Sequence, residues 1–300
     1  MKAGNSFLIS FLCLALHLVS CSSSESKNNG NGPQNTKKDS SQLKDNKNSN
    51  PDQKNGDFSA NMPGGFKTPE DDVGRKLLKE YGAMFIARNG AIPPNTVVFK
   101  DESEVSAFQA SVQTSVEEIG GHSLRLQSAA LRSLREAISE AAKDSLTISP
   151  RGSDSASRSY ADTVGLWASR VNPGLKHWVG QGKLTETEAA RIGSLTPFEQ
   201  VPEIFKLEAQ GMFFAKDLSK SIIYSVAPPG TSQHLSMLAL DVSEHENSEV
   251  RAVLSRHGWF QTVVSDLPHF TYLGAKESEL PGLGLRKVTN SGRTFWVPDV

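Results

Sequence analysis

Two short stretches of this chain combine imidazole and carboxylate side chains at close spacing. The first carries His234 and Asp241, and the second, later in the chain, carries Asp266 and His269. Two imidazole nitrogens and one carboxylate oxygen suit zinc and leave a fourth position for water. A further carboxylate, Asp266, could take a proton from that water. These residue types predict a zinc site with His234, Asp241 and His269 as ligands and Asp266 as the base.

The sequence around these residues predicts strands that could hold the zinc ligands in place. Leu238, Ala239 and Leu240 form an apolar run that predicts a buried strand delivering Asp241, and His269 lies at the end of a second strand candidate. Polar side chains in apolar surroundings need partners, and a metal ion would supply them.

Cysteine usage and charge narrow the chemistry further. Cys13 and Cys21 are the two cysteines in the sequence, and both precede the predicted folded region. That region therefore has no disulfide, no cysteine-ligated metal and no cysteine nucleophile. The net charge of −1, with no basic patch interleaved with aromatic residues, gives no reason to expect a nucleic-acid partner.

The first residues have the pattern of an export signal. Lys2 is followed by an apolar run too short to span a bilayer comfortably, and residues 1–20 are predicted to be a signal peptide. The run ends in Leu18-Val19-Ser20-Cys21, which resembles the lipobox of bacterial lipoproteins. That resemblance implies a lipid on Cys21 and attachment to a membrane. An ordinary signal peptide or short anchor that happens to end in cysteine is the alternative.

Residues 21–66 are predicted to be the lipidated cysteine followed by a disordered tether. Between residues 22 and 57 the sequence has six lysines and five acidic residues, with Leu43 as a rare apolar exception. Such a composition cannot bury enough apolar surface to offset chain entropy. A flexible chain of ~40 residues would reach ~30–40 Å. The folded domain is predicted to span residues 67–300, with the metal-site core at 221–274.

The predicted domain mixes helices with short strands. Helices are expected over residues 70–81, 102–116, 124–143, from about 157, from 197, and up to His257. Strands are expected at residues 83–87, 97–99, 146–148, 221–226 and 262–264, with a terminal hairpin over 285–297. This order favours an α+β fold, in which a small antiparallel sheet has flanking helices.

The residues of the two stretches also carry a family resemblance. Pro229, Gly230, Ser232, His234, Ala239 and Asp241 match a motif that reads Pro-Gly-Ser/Thr-Ser-x-His-x-x-Gly-x-Ala-x-Asp, and a closing motif is matched by His269, Phe270, Tyr272, Leu273 and Gly274. The chain thus resembles the zinc D-alanyl-D-alanine carboxypeptidases and L-alanyl-D-glutamate endopeptidases of the VanY/VanX type. The resemblance implies a Hedgehog/DD-peptidase-like zinc fold and assigns the same three ligands and the same base.

The resemblance also implies substrate-binding residues. In this family an upstream arginine binds the substrate carboxylate, and Arg158 fits that frame, with Thr163 where glutamine is usual. A bidentate guanidinium suits a carboxylate. Arg151 is the competing candidate, and a surface arginine at a helix start is the other interpretation of Arg158. Ser232 could orient His234, contact the substrate or cap a turn.

Three features depart from the family pattern. Met237 stands where the motif has glycine, so local packing or backbone conformation is expected to differ. Asp266 stands where the carboxypeptidases have glutamate, although aspartate also occurs in the endopeptidase branch. The segment 170–219 is longer than the usual connection and is predicted to form an extra helical segment or cap over the cleft.

Three functions are consistent with the sequence. The first is a lipid-anchored zinc peptidase that trims peptidoglycan stem peptides, as a carboxypeptidase or alternatively an endopeptidase. The second is a pseudoenzyme that only binds cell wall, motivated by Met237 and Asp266. The third is a serine hydrolase with Ser232 as nucleophile, which is disfavoured because no Gly-x-Ser-x-Gly elbow is present.

The first function implies partners and a location. We expect a monomer whose substrate is the stem peptide, held in the bacterial cell envelope and facing the periplasm. Ser22, after the lipidated cysteine, favours the outer membrane over the inner membrane, because it is not the aspartate that retains lipoproteins at the inner membrane in enteric bacteria.

Overall fold

A computed structural model of the chain describes residues 56–300. The predicted signal peptide, Cys21 and most of the predicted tether lie outside the described residues. Within residues 56–300, no helix combines the length and the apolar character that crossing a membrane would require.

Folded structure begins before the predicted boundary at residue 67. Phe58 is 2% exposed and belongs to the larger hydrophobic core, and Phe66 packs edge-on against Phe85. The Gly56 N–H donates to the carbonyl of Pro281. Residues 56–66, which we assigned to the tether, are therefore packed against the domain, because their aromatic side chains find apolar partners there.

The described chain has an α+β fold in which helices flank small antiparallel sheets, and this confirms the predicted fold class. The helices are α1 Asp72–Tyr81, α2 Glu102–Ser111, α3 Ser128–Lys143, α4 Tyr160–Gly180, α5 Glu186–Gly193, α6 Pro197–Ala209 and α7 Ser248–Arg256. The strands are β1 Thr114–Ile119, β2 His122–Gln127, β3 Ala239–Asp241, β4 Trp259–Phe260, β5 His269–Tyr272, β6 Leu285–Asn290 and β7 Arg293–Pro298.

The strands of residues 56–300 form three sheets, and all their pairs are antiparallel. β1 pairs with β2, β6 pairs with β7, and the central sheet has the order β3-β5-β4. In the central sheet Asp241 lies opposite His269. β5 is buried along its whole length, and Phe270 and Tyr272 join a core formed with β2, α3 and α7. The predicted strand before Asp241 and the predicted terminal hairpin are confirmed.

Several helix ends follow the signals in the sequence. Thr196 caps α6, the helix expected from residue 197: its hydroxyl accepts from the Glu199 N–H, and the Glu199 carboxylate accepts from the Thr196 N–H, which together form a capping box. Ser159 and Asp162 form the same arrangement at the start of α4. Trp167, Val171 and Trp178 on α4 are buried, and α7 is capped by Asn247.

One hairpin was missed. The helices predicted over 102–116 and 124–143 are shorter than expected, because β1 and β2 occupy residues 114–127 between them. Gly120 and Gly121 both have positive φ and form the two-residue turn that joins these strands. A Gly-Gly pair between two strand-like runs is a hairpin signal, so the sequence did contain the information.

The predicted strands at 83–87, 97–99, 146–148, 221–226 and 262–264 are wrong. Residues Gly82–Ile86 and Ile222–Tyr224 are 3-10 turns, and the other segments are irregular. These runs are largely buried, which explains their apolar composition, but a short apolar run does not by itself distinguish a strand from another buried segment.

The extra helical segment, residues 170–219, contains most of α4, together with α5 and α6. Val171, Ile192 and Ile204 bury their side chains in the larger core. Capping by Thr185 and Glu188 starts α5, which the sequence analysis did not identify. The segment is therefore packed into the domain, and Arg170 is the part of it that lines the cleft described below.

Candidate metal centre

The register of the central sheet brings Asp241 and His269 together. Residues opposite each other in an antiparallel pair project their side chains from the same face. The segment 150–156 supports β3 from its other side. There the Asp241 N–H donates to the Ser155 carbonyl at 2.9 Å, and the Arg151 N–H donates to the Asp241 carbonyl at 3.1 Å. The backbone N–H and carbonyl of Asp241 are thus both held by this segment, while β5 pairs with the opposite edge of the strand.

His234 reaches the same point from a 3-10 turn, Gln233–Ser236, that leads into β3. Gly230, before the turn, has φ +81°, and a Cβ at this position would lie 1.9 Å from the Phe99 carbonyl oxygen. The Pro-Gly start of the motif therefore allows a close backbone approach that no other residue permits.

Met237 ends the turn in a left-handed conformation, with φ 57° and ψ 32°. This is the region that glycine adopts readily and that costs other residues about 1–2 kcal/mol. The Met237 carbonyl accepts from the Gln127 N–H, and its side chain is fully buried. The backbone at Met237 thus has a conformation that glycine adopts readily, and the Met237 side chain is packed in the interior.

The three predicted ligands converge. His234 Nε2 lies 3.1 Å from His269 Nδ1, and each of these nitrogens lies 3.3 Å from Asp241 Oδ1. Ligands about 2.0–2.1 Å from a tetrahedral zinc ion are separated by about 3.3–3.4 Å. The triangle of donor atoms therefore has the size of one face of such a site.

Hydrogen bonds to the outer nitrogens decide which imidazole nitrogens carry protons. His234 Nδ1 lies 3.3 Å from the Ala156 carbonyl oxygen, which can only accept. Gln233 Nε2 donates to the Tyr81 carbonyl, so Gln233 Oε1 faces His269 Nε2 at 2.9 Å and accepts a hydrogen bond from its N–H. In the neutral imidazoles, His234 Nε2 and His269 Nδ1 are then left with lone pairs directed at Asp241.

Asp241 completes the set of donors. Its Oδ1 is buried without a hydrogen bond, whereas Oδ2 accepts from Arg158 Nη2 at 3.0 Å. Burial lowers the pKa of His234 below its usual value and so keeps that ring neutral.

Neutral imidazoles beside an ionised carboxylate are the protonation states that a metal ion requires. Three lone-pair-bearing atoms within 3.3 Å of one another, one of them an orphaned buried oxygen, would repel each other without a cation between them. His234, Asp241 and His269 can therefore hold a metal ion, as the chemistry and spacing of the group indicate.

A cavity of about 270 Å³ opens next to this group. His234 and His269 line it together with Asp266 and Ser232. Asp266 is exposed and lies in the turns before β5, and the His269 N–H donates to its carbonyl at 3.2 Å. Ser232 is buried at the wall, and no hydrogen bond joins its hydroxyl to an imidazole within residues 56–300. This arrangement does not support the serine-hydrolase interpretation.

The two arginine candidates occupy different places. Arg158 lines the cavity, and its guanidinium contacts Asp241 and, at 3.8 Å, Asp154. Arg151 has an exposed side chain that is not part of the cavity lining, and it contributes through its backbone N–H. The structure therefore places Arg158, and not Arg151, at the site.

Several groups that support the two imidazoles could not be identified from the sequence. Gln233 orients His269, although it had appeared only as the variable residue in the Ser-x-His motif. Thr271 also donates to Gln233 Oε1, and Thr262 bonds Thr271 at 2.6 Å, so this amide is held by a buried polar network. The Ala156 carbonyl comes from a loop whose sequence gives no signal of such a role.

Comparison with solved structures gave a structural likeness to a zinc-bound protein. Neither a protein family nor a curated protein matches the sequence. Among solved structures, a mutant of the vancomycin resistance D,D-pentapeptidase VanY from the VanB-type resistance cassette, in complex with Zn(II), is 16% identical over 65% of this chain and 89% of that chain. The TM-score is 0.31. The assignment of the metal centre rests on the geometry given above.

Proposed function

We propose that this chain is a zinc-dependent peptidase of peptidoglycan stem peptides, of the VanY/VanX type and with the zinc fold of that family. More specifically, we propose a D-alanyl-D-alanine carboxypeptidase. The observation that supports it is the triangle of His234 Nε2, His269 Nδ1 and Asp241 Oδ1 at the wall of a cleft that also contains Asp266.

The proposed reaction is hydrolysis of a peptide bond, and the residues divide the work. A zinc ion held by His234, Asp241 and His269 would polarise the scissile carbonyl and acidify water. Asp266 takes a proton from the attacking water and passes it to the leaving amine. Gln233 keeps His269 in the required tautomer, and Arg158 fixes Asp241 while facing the cleft.

Arg158 was predicted to bind the substrate carboxylate, and its position leaves two roles open to it. A guanidinium has five N–H donors, so a bond from Nη2 to Asp241 does not exhaust it. We propose that Arg158 chiefly positions Asp241. Ser232, at the cavity wall, would contact the substrate.

The test is product analysis by mass spectrometry. Zinc-loaded protein incubated with a stem pentapeptide is expected to release the terminal D-alanine, and a chelator should stop the reaction. Asp266→Ala should lower the rate by about 10²–10⁴-fold, as expected for loss of a general acid–base group. Asp144→Ala, which removes an exposed carboxylate on the short loop after α3, is the matched control and should leave the rate unchanged.

Other products would change the proposal. Fragments cut between L-alanine and D-glutamate would show the endopeptidase alternative. Binding of the pentapeptide without any cleavage by zinc-loaded protein would favour a cell-wall-binding pseudoenzyme. A fully active Asp266→Ala variant would contradict the role given to Asp266.

We also propose that the domain is a lipoprotein of the bacterial cell envelope, anchored through Cys21 and facing the periplasm. The sequence of Leu18-Val19-Ser20-Cys21 supports this, and Ser22 favours the outer membrane. The wild-type protein should incorporate a labelled fatty acid, and Cys21→Ala should abolish this incorporation. A wild-type protein that incorporates no fatty acid, or a Cys21→Ala variant that still does, would contradict lipid anchoring at Cys21.

A further inference from the structure

The cleft contains a second arginine that the sequence analysis did not assign. Arg170 lines the same cavity as His234, His269 and Asp266. It lies on α4, where Thr163 and Leu166 also face the cavity. Positions 163, 166 and 170 are spaced three and four residues apart, so they form one face of the helix. This face of α4 is a wall of the cleft.

Arg158 and Arg170 differ in how their charges are balanced. Arg158 pairs with Asp241 at 3.0 Å and approaches Asp154. Within residues 56–300, no carboxylate forms an ion pair with Arg170. Its hydrogen-bond partners are neutral: Nε donates to Ser225 Oγ and Nη1 donates to Ser169 Oγ, both at 2.9 Å.

These two bonds orient the guanidinium without neutralising it. Nη2 has no hydrogen-bond partner within the described part of the chain, and Arg170 borders the cavity. A partly buried cation without a counter-ion, at the wall of a cleft, favours a bound anion. Leu166 and Tyr224, which are 39% and 40% exposed, line the same cleft and provide apolar surface beside it.

We infer that Arg170, held by Ser225, binds the C-terminal carboxylate of the peptide and so makes the cleft select substrates with a free C-terminus. This inference rests on the proposed function and deepens it, because recognition of a free terminal carboxylate is a property of a carboxypeptidase and not of an endopeptidase. Arg170 is a specificity-determining residue in this account and takes no part in proton transfer.

The test measures binding and needs no turnover. Two probes are used, an N-acylated tripeptide ending in D-alanyl-D-alanine and the same peptide as its C-terminal amide. Calorimetry is performed on the full chain, loaded with zinc and carrying Asp266→Ala to prevent hydrolysis. A charge-assisted contact predicts that the acid binds about 10- to 100-fold more tightly than the amide.

Substitutions test whether Arg170 is responsible for the preference for the peptide acid over the amide. Arg170→Gln should abolish it by weakening binding of the acid while leaving binding of the amide unchanged. Arg170→Lys should retain part of it, because the charge stays but the fork geometry is lost. Arg151→Gln, the same substitution at an exposed arginine outside the cavity, is the matched control and should change neither affinity.

Three results would overturn the inference: equal affinity for acid and amide, no detectable binding of either at millimolar concentration, or a preference that survives Arg170→Gln. Because the readout is binding, these results are distinguishable from failure of the proposed peptidase activity. A preference for the acid that depends on Arg170, in a wild-type protein that cleaves nothing, would support the inference and refute the hydrolysis.

Discussion

Asp241 and His269 lie opposite each other in the antiparallel β3–β5 pair, and His269 Nδ1 is 3.3 Å from Asp241 Oδ1. The register of two strands thus converts two separate sequence motifs into two ligands of one site. A slip of one residue would send His269 to the other face of the sheet. The buried side chains along β5 hold this register, because each would lose its place in the core.

The hydrogen bond between His269 Nε2 and Gln233 Oε1 predicts that Gln233 contributes to metal affinity. Gln233→Leu removes the acceptor and lets the imidazole change tautomer or rotate. Loss of such an orienting partner typically weakens metal binding by about 10–100-fold. Competition with a chromophoric chelator measures the affinity of the chain for zinc.

Gln200→Leu is a matched control, since it also removes a buried glutamine. Gln200 accepts from Trp167 Nε1 and donates to the Ile192 carbonyl, and it is not part of the cavity lining. Gln200→Leu should lower thermal stability and leave zinc affinity unchanged. Equal zinc affinity in the Gln233→Leu variant and the wild type would refute the orienting role.

Arg158→Gln tests whether this arginine acts through Asp241. The substitution removes the charge-assisted bond to Asp241 Oδ2, so we expect zinc affinity to fall by about 10-fold or more. The same chelator competition measures the change, and Arg151→Gln should show none. Unchanged zinc affinity combined with a raised KM would show instead that Arg158 binds substrate, as the family resemblance implied.

The left-handed conformation of Met237 predicts that a glycine variant at this position is more stable than an alanine variant, the reverse of the usual order. At φ 57°, glycine avoids a strain that alanine retains, so Met237→Gly should be more stable than Met237→Ala by about 1 kcal/mol. Both should be less stable than the wild type, because each loses a buried side chain worth about 2–5 kcal/mol. Urea denaturation gives the free energies of unfolding.

The neighbouring Leu238 supplies the comparison. It is equally buried but does not have a positive φ, so Leu238→Ala should be more stable than Leu238→Gly, by about 0.5–1 kcal/mol. Finding the same order at both positions would mean that the left-handed conformation of Met237 is not retained in solution.

The sequence was sufficient to predict a helix or strand where a local signal existed. Thr196, followed by Pro197, located the start of α6, and the apolar run before Asp241 located β3. The roles of Gln233 and Arg170 depend on contacts with Tyr81 and Ser225, which are far away in the chain. Such contacts leave no local pattern, because any buried glutamine or helical arginine has the same composition and spacing.

The irregular segments were also difficult to predict, because their conformation depends on residues that are distant in the chain. Residues 82–86 are buried because they pack between α1 and the rest of the larger core, and burial alone made them resemble a strand. The Ala156 carbonyl contacts His234 only because the 150–156 segment runs alongside β3. Tertiary packing, and not local preference, decides both.

The central claim is that His234, Asp241 and His269 bind a zinc ion together, and metal content tests it most directly. The purified chain is loaded with zinc, freed of excess by buffer exchange and analysed by mass spectrometry of the elements. We predict about one zinc ion per chain in the wild type and none in His269→Ala, with His122→Ala, an imidazole outside the cavity, retaining the wild-type content. A wild-type chain without zinc, or a His269→Ala variant that retains it, would contradict the account.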